Sequence, residues 1–137
     1  MNYWLIKSEP ETWSWQQQLK KGVKGELWDG VRNYQAANFM KAMKKGDLAF
    51  FYHSGKEKAI VGITEIIKES QPDPSDESGR FVAVTVKAKT ALDKAVTLSA
   101  IKTEPTLSEL LLLRQSRLSV MPIPKSAWNR ILQMGKA

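Results

Sequence analysis

The side chains best suited to binding chemistry cluster in residues 28–36, which read WDGVRNYQA. Trp28 offers a flat aromatic face and Arg32 offers a planar cation. Asp29 and Asn33 add hydrogen-bond acceptors and donors. A structural interpretation stays open beside this functional one, with Trp28 in the core, a glycine setting a tight turn and Asn33 capping the next helix.

Other candidate residues lie where further predicted strands begin or end: Lys7, Ser8, Tyr52, His53, Ser54, Arg117, Leu118 and Ser119. A neutral His53 imidazole can hydrogen-bond a base edge without a metal, although a histidine at a strand end is more often structural. Arg117 either ends a helix, where the dipole favours it, or grips a phosphate with its planar fork. With an aromatic face to stack on, these groups are the parts of a site that reads a nucleobase.

The chain lacks the residues that several kinds of catalytic and metal-binding site require. One histidine and no cysteine cannot build the zinc site of a base deaminase or a zinc finger. No glycine-rich phosphate loop follows a strand. His53 and Ser54 are adjacent, so in an extended segment their side chains point to opposite faces and do not form a nucleophile–base pair. We therefore expect no catalytic residues, no metal and no cofactor.

Length and composition indicate the size of the domain and the kind of partner that it binds. The 137 residues fit one compact domain, residues 1–137, and 21 basic against 14 acidic residues give a net charge of +7. This charge favours polyanionic partners, nucleic acid first. No apolar run approaches the roughly 20 residues that cross a bilayer, and no basic leader precedes the first strand. We expect a cytoplasmic monomer without a membrane partner. Exposed lysines form two basic clusters: Lys20, Lys21 and Lys24, and Lys41, Lys44 and Lys45.

The elements that must position these residues follow from hydrophobic patterning. Strands are predicted at 2–7, 26–28, 48–52, 59–67, 81–89 and 118–123. Helices are predicted after Ser14, along the Ala36, Phe39, Met40 and Met43 face, at 99–102, after Thr106, and after Pro124. Residues 71–79 (QPDPSDESG) read as an exposed loop. The pattern predicts an α+β fold, a mixed, mostly antiparallel barrel-like sheet surrounded by short helices. Its core should contain Phe50, Val61, Val82, Val84, Trp128 and Ile131.

Four blocks of the chain resemble the EVE domain family, in family order: YWLIKSEP at 3–10, WDGVRNYQA at 28–36, FYHS at 51–54 and RQSRLSV at 114–120. The resemblance extends from Tyr3 to about Leu132. It implies a fold of the PUA-like superfamily, similar to YTH domains, which read methylated adenine in RNA. It also implies a pocket that reads a modified nucleobase.

We therefore interpret the chain as a non-catalytic reader of a modified, for example methylated, base in DNA or RNA. Trp28 is expected to be the stacking platform, so that its removal weakens ligand binding more than folding. Some PUA-like relatives hydrolyse small modified nucleosides, and that alternative would use Lys7, Glu9 and His53 as catalysts. A protein-interaction module with a vestigial pocket is a third possibility.

Overall fold

Six strands form one sheet in the order β2-β5-β4-β3-β1-β6 in the computed structural model, which describes residues 1–137. The strands are β1 (Tyr3–Ser8), β2 (Glu26–Trp28), β3 (Leu48–His53), β4 (Ala59–Pro72), β5 (Val82–Thr97) and β6 (Val120–Pro122). The helices are α1 (Trp15–Lys20), α2 (Tyr34–Ala42), α3 (Leu98–Lys102), α4 (Leu111–Arg114) and α5 (Lys125–Met134), with 3₁₀ turns at Gly22–Lys24 and Pro105–Leu107. Only β1 and β3 pair in parallel. The predicted mixed, mostly antiparallel sheet is confirmed.

The sheet curls into a half-barrel. In a flat sheet β2 and β3, which are separated by β5 and β4, would lie about 14 Å apart at the usual spacing of neighbouring strands. Yet the Trp28 ring on β2 lies 5.6 Å from the Phe51 ring on β3. Repeated register shifts between the long strands β4 and β5 supply this curl, because bulges increase local twist. The curl brings the end of β2 towards the ends of β1 and β3.

The hydrophobic core lies on both faces of β3. Phe50 stacks on Trp128 of α5 with ring centres 3.8 Å apart, whereas the next residue, Phe51, faces Trp28. Of the predicted core residues, Phe50, Val84, Trp128 and Ile131 are buried, and Val61 and Val82 are partly buried against the same cluster. The predicted core is therefore confirmed, with two members at its margin.

Helix α1 packs closely over the sheet. Ser14 is the N-cap expected from the sequence, since its Oγ accepts the Gln17 N–H. The structure adds the reciprocal bond, in which Gln17 Oε1 accepts the Ser14 N–H. The Trp15 ring then lies directly over Gly62 of β4. A Cβ at Gly62 would lie 2.4 Å from that ring, so only glycine permits the approach.

Helix α2 begins at the end of the loop that follows Trp28. Asn33 Oδ1 accepts the Ala36 N–H at 2.9 Å, which is the N-cap predicted from the sequence. Ala36, Met40 and Met43 are buried and Phe39 packs against the core, so the predicted apolar face is also confirmed.

Three local expectations were wrong. Thr106 does not cap one leucine-rich helix, because Leu110 is extended and divides that segment into a 3₁₀ turn and α4. Arg117 consequently lies beyond the end of α4 at Arg114 and has no helix terminus to complement. The segment 71–79 is not wholly exposed, since Asp73 is buried. None of the helices combines the length and the apolar character needed to cross a membrane.

Candidate functional site

A cavity of about 460 Å³ opens where β1 and β2 end. It lies between the turn that follows β1, the loop that joins β2 to α2, and the residue that precedes β6. Its volume is within the range of small-ligand sites. Its lining residues are Lys7, Ser8, Glu9, Thr12, Trp13, Glu26, Leu27, Trp28, Asp29, Gly30, Val31, Arg32, Asn33 and Ser119.

Trp28 forms the inner wall of this cavity and is more deeply buried than the sequence suggested. Its residue is 8% exposed, and its ring meets Phe51 edge-on at 5.6 Å. Trp28 therefore has both of the roles considered from the sequence. It belongs to the hydrophobic core, and it also borders the cavity. This burial argues against the expectation that removing Trp28 affects folding far less than the roughly 3–5 kcal/mol typical of a core tryptophan.

The loop after Trp28 is held by a buried carboxylate. Asp73 Oδ2 accepts the Gly30 N–H at 2.8 Å and Arg32 Nη1 at 2.9 Å, and its Oδ1 accepts the Ser75 N–H and hydroxyl. Burial by itself raises the pKa of Asp73, but the bonds from Ser75, Arg32 and Gly30 outweigh it and lower the pKa from 3.8 to about 2. Gly30 adopts a φ of +80°, which lets its N–H turn towards Asp73.

Another part of the cavity wall is formed by a second tryptophan, Trp13. Its indole N–H donates to Gln18 Oε1 at 2.9 Å, and the Gln18 amide in turn donates to the Val86 carbonyl of β5 at 3.1 Å. The Ser8 hydroxyl donates to the Trp13 carbonyl. Because Gln18 is fully buried, these bonds fix the orientation of the partly buried Trp13 at the cavity. Trp13 is also more exposed than Trp28.

His53 supports this wall from behind and does not line the cavity. Its Nε2 accepts the backbone N–H of Trp15 at 3.0 Å, and its Nδ1 lies 2.7 Å from Glu57 Oε1. An accepting Nε2 carries no proton, so the proton on Nδ1 is donated to Glu57. With both ring nitrogens engaged, His53 has no free group for a base edge or for proton transfer.

The polar groups at the cavity comprise both acceptors and donors. The carboxylates of Glu9 and Asp29 form no hydrogen bond or ion pair with the protein. Because Asn33 Oδ1 caps α2, only its Nδ2 amide is left for a ligand. Lys7 Nζ donates to the Ser116 carbonyl at 2.9 Å, and partial burial lowers the pKa of Lys7. The cavity can thus accept from and donate to the same flat, polar-edged ligand.

Most predicted site residues meet at this cavity, namely Lys7, Ser8, Trp28, Asp29, Arg32, Asn33 and Ser119. The others do not line it: Tyr52, His53, Ser54, Arg117 and Leu118. Tyr52 and Leu118 are buried, whereas Ser54 donates its hydroxyl to the Ser8 carbonyl beneath the cavity wall. Arg117 is exposed, and the expected contact of these five residues with a ligand stays a prediction.

A larger open groove, of about 720 Å³, lies at the opposite end of β1. It is bordered by Tyr3, the residues that follow β6 and the start of α5. None of the predicted site residues lines it, and none of the free carboxylates described above faces it. Each site is lined by two aromatic residues, but the smaller cavity has the larger share of polar residues.

Residues 2–134, nearly the whole chain, match the sequence pattern of the EVE domain. The chain belongs to the EVE domain family. A protein from Rhodopseudomonas palustris, solved by NMR, is 52% identical to this EVE domain with a TM-score of 0.94, and the match covers 98% of this chain and 93% of that one. Thymocyte nuclear protein 1 of Rattus norvegicus is 34% identical, with 99% of this chain and 74% of that protein covered.

Two further structures bear on this EVE domain. Human THYN1, crystallised in complex with DNA that contains 5-methylcytosine, is 31% identical with a TM-score of 0.93, and the match covers 100% of this chain and 99% of that one. The YTH domain of Zygosaccharomyces rouxii MRB1, solved with N6-methyladenosine RNA, has a TM-score of 0.57 at 18% identity, covering 99% and 87%. The second likeness concerns the fold alone.

Sequence reasoning about this EVE domain missed Trp13, Gln18 and Asp73. A local signal for Trp13 existed, because an aromatic residue just before a capping Ser is placed against the fourth residue of the helix, here Gln18. Asp73 gave no such signal, since it lies in a loop of ordinary polar composition.

Proposed function

We propose that this EVE domain is a non-catalytic reader that binds a methylated nucleobase of DNA or RNA in the cavity between Trp13 and Trp28. The observation that carries the proposal is the combination, in one cavity, of two tryptophans with the unpaired carboxylates of Glu9 and Asp29. The human relative crystallised with 5-methylcytosine-containing DNA supports the same assignment.

The chemistry of the walls favours bases that carry an exocyclic amino group. Carboxylates accept hydrogen bonds, and Asp or Glu pairs with the N4 amino group of cytosine. Glu9 and Asp29 are exposed, so water hydrates their carboxylates in the free protein. Thymine and uracil present a carbonyl at that position and would displace this water without returning a hydrogen bond, which is costly. The Nδ2 amide of Asn33 and the Lys7 ammonium can donate to the ring acceptors of the same base.

Methylation adds a smaller, apolar preference. A methyl group buried against an indole gains roughly 0.8 kcal/mol, which corresponds to about a fourfold tighter complex. Stacking on an aromatic ring adds about 1–3 kcal/mol whatever the modification. The discrimination between methylated and unmethylated base is therefore expected to be modest, with most affinity coming from stacking and the base edge.

Calorimetric titration with free nucleosides tests this proposal. 5-Methyl-2′-deoxycytidine is expected to bind about fourfold more tightly than 2′-deoxycytidine, and thymidine is expected to bind more weakly than either. Trp13→Ala should weaken binding roughly 5- to 150-fold, whereas Val23→Ala, at an exposed apolar residue outside the cavity, should leave it unchanged. Equal binding of all three nucleosides, or full affinity in Trp13→Ala, would contradict the proposal.

Only two of the three candidate catalytic residues of the hydrolase alternative line the cavity. Lys7 and Glu9 line the cavity, but His53 lies behind its wall with both nitrogens engaged. A non-catalytic reader predicts that a panel of modified nucleosides is recovered intact after incubation with the protein. Release of a free base or an altered base from any of them would favour the enzyme.

A further inference from the structure

Tyr34 is an aromatic residue with its ring in solvent, beside the proposed base-binding cavity. Its residue is 59% exposed, whereas the other large exposed apolar side chains, Met1, Leu19 and Val23, are aliphatic. It directly follows Asn33, which lines the cavity, and it is the first residue of α2. Its backbone is therefore anchored at the cavity rim by the Asn33 cap.

The exposed ring is also supported from one side. The Tyr34 ring lies 5.0 Å from the Phe81 ring at an interplanar angle of 31°. Phe81 is buried, and its N–H donates to Asp76 Oδ2 at 2.8 Å while its carbonyl accepts the Asp73 N–H at 3.0 Å. The Arg32 guanidinium lies 5.4 Å from the centre of the same Phe81 ring. The loop that holds Asp73 thus also holds the support of Tyr34.

A ring that is fixed on one side and solvated on the other is suited to stacking. A base that stacks on it buries aromatic surface without first ordering the side chain, so little conformational entropy is lost. Such stacking is worth about 1–3 kcal/mol per base and tolerates any sequence, because every base has a π-face. Arg32 helps to hold this support in place, because its Nη1 donates to Asp73 and its Nη2 donates to Ser75.

We propose that Tyr34 is a stacking platform for the base that flanks the one held in the cavity, so that the ligand of this domain is an oligonucleotide. This rests on the proposed function, since the flanking position is defined by a base in the cavity. The platform adds affinity without sequence preference, and the cavity alone selects the modification.

Single-stranded trinucleotides with a central 5-methylcytosine, compared with the free nucleoside, test the proposal, because a single strand requires no base flipping from a duplex. Tyr34→Ala is expected to weaken trinucleotide binding roughly 5- to 150-fold and to leave binding of 5-methyl-2′-deoxycytidine unchanged. Tyr34→Phe keeps the ring and should bind both ligands as the wild type does. Val23→Ala serves as the exposed apolar control and should also match the wild type.

A trinucleotide with abasic flanking positions completes the test. It should bind wild type and Tyr34→Ala equally, because no flanking base is present to stack. Full trinucleotide affinity in Tyr34→Ala, or an equal loss of nucleoside binding, would overturn the platform while leaving the cavity proposal intact. Failure of the wild type to bind either methylated ligand would instead overturn the proposed function, and the platform with it.

Discussion

Replacing Asp73 with asparagine removes the buried negative charge that holds the loop beside Trp28 while preserving side-chain size. Asp73 is 2% exposed and accepts hydrogen bonds from Gly30, Arg32 and Ser75. The pKa of Asp73 is about 2 in the folded state, against an ordinary value of 3.8. Each pKa unit of this difference corresponds to about 1.36 kcal/mol of stabilisation of the charged form. The carboxylate therefore stabilises the fold by about 2 kcal/mol at neutral pH.

The pH dependence of this stabilisation has a definite sign. Because folding lowers the pKa of Asp73, its contribution is fully present well above pH 3.8 and is lost as the pH falls towards 2. At pH 7 Asp73→Asn should lower the free energy of unfolding by about 2 kcal/mol and the melting temperature by about 7 °C. The difference between wild type and variant should shrink steadily between pH 4 and pH 2.

Urea unfolding at a series of pH values measures both effects. Asp93→Asn is a suitable control, because Asp93 is exposed and accepts only a long bond from the Ala137 N–H, so a change within about 0.5 kcal/mol is expected. Ligand titration should also show weaker binding for Asp73→Asn than for this control. A variant as stable as wild type at pH 7, or a difference that is constant down to pH 2, would refute the reasoning.

Further predictions concern the two cavity walls and the net charge. Trp28→Ala should lower the free energy of unfolding by about 3–5 kcal/mol, because the Trp28 ring packs on Phe51. Denaturant unfolding measures this loss, and a value below about 1 kcal/mol would place Trp28 outside the core. His53→Ala should cost about 1–3 kcal/mol by leaving the Trp15 N–H unsatisfied, whereas Lys56→Ala, at an exposed neighbouring position, should cost almost nothing in the same assay. Because the net charge is +7, oligonucleotide binding should weaken as salt is added. A plot of log affinity against log salt concentration should have a slope of about −0.7 for each phosphate contacted. A flat plot would argue for a ligand held by the cavity alone.

The architecture was largely predictable from the sequence because its signals are local. The alternation of Val82, Val84 and Val86 predicted a strand, but Thr85, which was expected on its solvent face, is buried as well. The spacing of Ala36, Met40 and Met43 predicted the buried face of α2. Each of these patterns depends only on the geometry of one strand or one helix. The residue types in 28–36 likewise identified the segment that borders the cavity, since its mixture of aromatic, polar and charged groups is visible without a fold.

The roles of single residues at the site depended on contacts between distant parts of the chain. His53 was expected to face a ligand, but the curl of the sheet places it beneath Trp15, and the lone histidine becomes a support for the Trp13 wall. Asp73 was expected in a solvated loop, but it folds back to Gly30, 43 residues earlier.

The sequence by itself determined the strands, the helix faces, the caps and the kinds of side chain available for binding. The tertiary structure alone decided which of them meet. Trp28 illustrates the difference, because its type and the following glycine were readable, whereas its burial against Phe51 depends on two strands that are not neighbours in the sheet. Periodicity reports which side of an element is apolar, but the partner that covers that side is selected by packing of the whole sheet.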